Sequence, residues 1–135
     1  MYDCNKEDFI SKCKEYFKTR GFVRKHTTWL KHKDDLILCF NIQTSQWDSN
    51  DFYLNVGIVI KGIDETPQTT LGKWHVHRRI SDVDKSSDDI LREVDLWLST
   101  HGNMDKLKHL SSLGDEERLP VLMWKSVIEY LKTLN

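Results

Sequence analysis

Residues 36–61 read LILCFNIQTSQWDSNDFYLNVGIVIK, two long apolar runs joined by a polar turn. Leu36, Leu38, Phe40 and Ile42 alternate along the first run; Phe52, Leu54, Val56, Ile58 and Ile60 alternate along the second. A period of two is the mark of a strand with one buried face. The opposite face then carries Asn41, Gln43 and Ser45 from the first strand and Tyr53, Asn55 and Gly57 from the second. Pairing the strands as a hairpin across Gln46 to Asn50 gathers these polar groups at one end, with Trp47 in the loop beside them. Such a set either bonds to itself and to the backbone or awaits a ligand or partner, and both readings stay open at this point.

The elements on either side are read from the same physics. Asn5 can cap a helix running to about Arg20, with Phe9, Cys13, Tyr16 and Phe17 as its apolar stripe and Gly21 as its stop. Phe22–Lys25 and Thr28–Lys31 read as one first strand, bent at His26. A loop with Gly62, Pro67 and Gly72 leads to a fourth strand, Trp74 to Ile80. Alternation puts Trp74, Val76, Arg78 and Ile80 on one face of it and His75, His77 and Arg79 on the other. Ser86 or Ser87 caps a helix with Ile90, Leu91, Val94, Trp97 and Leu98 inward; Asn103 caps a shorter one. Pro120 suits the first turn of a last helix, whose buried stripe is Val121, Trp124, Val127, Ile128 and Leu131. The expected fold is α+β: an N-terminal helix, a four-stranded antiparallel meander, and C-terminal helices packed on the sheet, in one domain over residues 1–135.

The chain has 135 residues, five Trp and five Phe, with 39% hydrophobic residues, enough for a single core and too apolar for disorder. No apolar run approaches the roughly 20 residues of a membrane span, and the charged N-terminus lacks a signal-peptide core. Cys4, Cys13 and Cys39 show no CxxC spacing and read as reduced thiols of a cytoplasmic protein. The net charge of −1 hides an asymmetry: residues 1–33 hold nine Lys or Arg against four Asp or Glu. A basic half suits an acidic partner or phosphate, or is simply the solvated face of a lysine-rich helix. No aromatics interleave with a basic strand as single-strand binders require, so nucleic-acid binding is not the expectation.

The residues now carry a resemblance. GF at 21–22, NIQTSQW at 41–47, FYLNVGI at 52–58 and WHVHRRI at 74–80 resemble a bacterial domain-of-unknown-function family, the one catalogued as 4304. Asn41, Gln43, Ser45, Trp47, Phe52, Asn55, Gly57, His75 and Arg79 stand at positions matching that family's pattern. The resemblance covers most of residues 9–80. It implies a small cytoplasmic α+β domain, transfers no established activity, and brings an association with immunity proteins of toxin systems.

Chemistry is sparse. His75 and His77 share a strand face, but no third ligand joins them at a clear spacing. Asp82 to Glu93 nearly spells a calcium loop, yet Ser87 stands where the turn needs Gly. Ser45 beside His77 lacks a glycine-framed elbow, and no phosphate loop or dinucleotide fingerprint occurs. We therefore expect no metal and no cofactor, assign no catalytic residue, and leave enzymatic activity open while leaning against it. The expected function is recognition of a protein partner through a polar sheet face formed by Asn41, Gln43, Ser45, Trp47, Tyr53, Asn55, His75, His77 and Arg79. The alternative is a small hydrolase or nucleotide-processing enzyme using His75, His77 and Arg79.

Overall fold

The computed structural model describes residues 5–45, 52–64, 71–80 and 85–134. Its first helix, α1, spans Lys6–Lys18; the Asn5 side chain caps it by accepting the Asp8 N–H at 2.8 Å. Glu7 and Asp8 lie in the first turn, where carboxylates complement the helix dipole. Phe9, Cys13 and Phe17 are buried, and Gly21 leaves the helix at a left-handed φ of 84°.

Two short hairpins follow. Strand β1 is Val23–Lys25, β2 is Thr28–Lys33 and β3 is Leu36–Thr44. Lys25 pairs with Thr28 and Lys33 with Leu36, so each loop has two residues. Loops this tight need a left-handed first residue, and His26 (φ 57°) and Asp34 (φ 52°) supply it. The expected single bent strand is therefore two strands, because the left-handed His26 reverses the chain. Strand β4, Phe52–Ile60, pairs with β3 antiparallel from Leu36↔Ile60 to Thr44↔Phe52, as the alternation requires.

A 3₁₀ turn at Leu71–Lys73 precedes β5, Val76–Ile80. The C-terminal part holds α2 (Ser87–His101), α3 (Met104–Ser112), α4 (Asp115–Arg118), β6 (Leu122–Met123) and α5 (Lys125–Lys132). Ser86 and Asn103 cap α2 and α3. The sheet order is β1-β2-β3-β4-β5-β6, with every neighbouring pair antiparallel. The fold class is α+β as expected, but the sheet has six strands instead of four.

One sheet face packs on the helices. Phe17 meets Phe40 with ring centroids 5.3 Å apart, and Phe9 stacks on Phe52 at 5.3 Å. Leu38, Leu54, Val56 and Ile58 join the same core. Arg118 is buried and ties the C-terminal helices together: its guanidinium donates to the Leu110 and Leu113 carbonyls at 3.0 and 2.6 Å. Leu113 is the C-cap of α3, and the Leu110 carbonyl also accepts the Leu113 N–H at 3.2 Å, so Arg118 adds to the bonding that closes this helix end.

Three expectations are corrected. The segment after Pro120 is not yet helix; it crosses back to pair with β5 as β6, and α5 begins at Lys125. Trp124 consequently stands at the helix N-cap, 54% exposed, and not in the buried stripe. Trp74 precedes β5 and is buried with Leu30, Ile37, Cys39 and Val59, away from the helix-covered core that takes Val76. The alternation breaks at His75. Its backbone N–H donates to the Ile58 carbonyl at 3.1 Å, while its Nδ1 accepts the Ile60 N–H at 2.8 Å. The side chain thus does the work of a ladder acceptor, and the residue before it turns to the other face. Among the described residues, no helix is long and apolar enough to cross a membrane.

Candidate functional site

The site lies on the sheet face away from the main core. Strand register sets its rows. Thr28 stands opposite Asn41, Asn41 opposite Asn55, and Asn55 opposite Arg79, a polar row across four strands. The next row is Leu30, Cys39, Gly57, His77 and Leu122. Trp74 lies over this second row, and Gly57 makes room for it: a Cβ there would collide with the indole and stand 2.8 Å from the Val76 carbonyl. One half of the face is therefore a small apolar cluster under Trp74, and the other half is polar.

The polar half is a hydrogen-bonded array. Arg79 donates from an Nη to Gln43 Oε1 at 2.9 Å and, more loosely, from Nε to Asn55 Oδ1 at 3.4 Å. Asn55 Nδ2 donates to the same Gln43 oxygen at 3.2 Å. The guanidinium carbon lies 4.4 Å from the Tyr53 ring centroid, a cation–π contact. Arg79 is nevertheless exposed, while Gln43 and Tyr53 are half-buried and Asn55 is buried. Asn41 is buried too. Its Nδ2 donates to Thr28 Oγ1 at 2.9 Å, and its Oδ1 has no hydrogen-bond partner.

Gln43, Asn55, His77, Arg79, Gly72 and Leu122 line a cleft of about 350 Å³. Among the described residues its lining holds no carboxylate and no hydroxyl or thiol nucleophile. Burial lowers the His77 pKa below the ordinary imidazole value, so the neutral ring offers one donor and one acceptor at neutral pH. Guanidinium N–H groups not engaged by Gln43 or Asn55 remain for a ligand. The arrangement can hold a carboxylate, another anion or an amide; among the described residues it does not present a nucleophile with a base.

The structure brings together most of the side chains singled out in the sequence. Asn41, Gln43, Tyr53, Asn55, His77 and Arg79 share the face. Ser45 is buried one residue past β3. Trp47, expected beside Arg79, lies outside the described residues. His75 is not part of the cleft lining; burial lowers its pKa and its Nδ1 is engaged by Ile60. The enzyme alternative asked His75, His77 and Arg79 to share one cleft, and two of the three do. Of the calcium-like loop, Asp82 and Asp84 lie outside the described residues, and Glu93 pairs with Lys85 at 2.9 Å. Among the described residues no group of three His, Cys, Asp or Glu is placed to hold a metal ion. The sequence reading missed Thr28, Gly72, Trp74 and Leu122 as parts of this face. Only Gly57 hinted at the Trp74 contact, since glycine within a strand often marks a close approach.

No curated protein matches the chain, and no solved structure matches it. A family profile does, over residues 13–116, from the middle of α1 through strands β1 to β5 to the start of α4. That match takes in most of the chain and every residue of the polar row, so the chain belongs to the family described as domain of unknown function DUF4304.

Proposed function

We propose that this domain is a cytoplasmic protein-recognition module whose contact surface is the Arg79 cleft. The observation that carries the proposal is the state of Arg79. Its guanidinium is oriented by Gln43, Asn55 and Tyr53 yet stays exposed at a cleft whose described lining residues include no carboxylate. An arginine that served only the fold would be matched by its own chain; this one is pre-organised and left with donors to spare. The margin of the cleft fits a protein partner: Leu122, 49% exposed, lines it, and Trp124 is exposed two residues on. A fixed Arg beside exposed large apolar side chains is the composition of an interface centre. Within this class, inhibition of a partner in the manner of immunity proteins is the specific role that the family association brings. The test is affinity capture with the wild-type domain and with Arg79→Ala as parallel baits. A partner recovered by the first and lost from the second, at equal melting temperature, supports the reading. A partner retained equally by both removes it.

A further inference from the structure

Among the described residues, the basic N-terminal quarter is neutralised by ion pairs on one flank of α1 only. Lys12 stands 3.6 Å from Asp88, and Arg20 Nε stands 3.2 Å from Asp95. On the other flank Lys14, Lys18 and Arg24 line a groove of about 190 Å³ between α1 and β1, floored by Phe22 and Trp29. Lys31 reaches over the same floor, its Nζ 5.7 Å from the Phe22 ring centroid. Lys25 follows Arg24 on the strand. Among the described residues no ion pair engages any of these five cations; Arg24 donates to the carbonyl of His26 in its own turn, at 2.8 Å. Strand β1 ends the sheet order and all three of its residues are exposed, so its outer row of backbone groups has no strand beside it among the described residues.

We propose that β1 and this groove form a second docking surface, for an acidic segment of a partner protein lying extended along the β1 edge. Positive charge on an edge strand ordinarily discourages pairing with another chain. An acidic strand is the partner for which the same charges attract instead. Its backbone would meet the free edge of β1. Carboxylates on its helix-side face would meet Lys14, Lys18, Arg24 and Lys31, and those on the other face Lys25. Clustered like charges repel one another, and an acidic segment relieves that repulsion along with its own. A nucleic acid fits less well. Phe22 and Trp29 are 8% and 1% exposed, so the groove offers no ring face for a base to stack on. This surface lies at the opposite end of the strand order from the Arg79 cleft and does not depend on it.

The probe is a fluorescein-labelled peptide of alternating Glu and Val, titrated with the full chain by anisotropy at low and at physiological salt. Backbone amide shifts are followed by NMR on the same samples. Binding that weakens with salt, shifts the amides of residues 23–25 and falls about tenfold or more in Lys18→Glu/Arg24→Glu supports the proposal. The Lys14→Glu/Lys18→Glu variant, confined to exposed positions of α1, gives a second reading with β1 untouched, and Arg79→Ala should leave the affinity unchanged. The proposal is overturned if the peptide does not bind, if charge reversal does not weaken it, or if an oligothymidylate of equal length binds more tightly than the peptide.

Discussion

Gly57 lies directly beneath the indole of Trp74, close enough that no side chain fits between them. The pair joins the centre of the sheet to the turn that borders the cleft, since Gly72 of that turn lines it. Gly57→Ala should therefore destabilise the domain by about 1–3 kcal/mol, because the methyl meets both a ring and a backbone carbonyl. Urea unfolding measures this directly. A neutral result would mean that Trp74 does not rest on the strand.

His75 makes a pH-dependent contribution of predictable sign. Burial lowers its folded-state pKa, and its Nδ1 must be unprotonated to accept the Ile60 N–H. The unfolded state, with a pKa near 6.5, then binds more protons than the folded state in the window below that value. The His75 contribution is thus present above about pH 6.5 and is lost as the pH falls through the folded-state value. His75→Asn keeps an acceptor but cannot titrate. Its melting temperature should fall less steeply than wild type between about pH 6.5 and 5, with little difference at about pH 8. Parallel slopes would show that His75 is not linked to folding.

Trp124 and Leu54 separate the structure from the sequence pattern. Alternation and helical period together make both residues core, but Leu54 is fully buried and Trp124 is 54% exposed. Leu54→Ala should cost roughly 2–5 kcal/mol and Trp124→Ala no more than about 0.5 kcal/mol, read from denaturant midpoints. Similar losses at the two positions would return Trp124 to the core.

The contrast shows what a single sequence can yield here. Strands β3 and β4 were legible because nine consecutive pairs repeat one alternation, and the caps Asn5, Ser86 and Asn103 were legible because capping is local chemistry. Strand β6 was not, since two residues carry no period and Pro120 fits a helix start equally well. Trp74 was placed on the wrong face because a side-chain bond, His75 to Ile60, interrupts the strand where the apolar pattern continues. The site divides the same way. Alternation along each strand found Asn41, Gln43, Asn55 and Arg79. Only register between strands puts Asn55 opposite Arg79, or extends the row to Thr28.

Arg79 decides between recognition and architecture. Its hydrogen bonds to Gln43 and Asn55 and its contact with Tyr53 are made at an exposed position, so their loss should cost little stability. The most direct measurement is calorimetric titration of the captured partner into wild type and Arg79→Ala, at a temperature where both are folded. The account predicts that Arg79→Ala weakens binding by about 2 kcal/mol or more, roughly thirtyfold. Equal affinity for the two proteins, with the variant instead melting far below wild type, would contradict it and make the polar row a brace of the sheet.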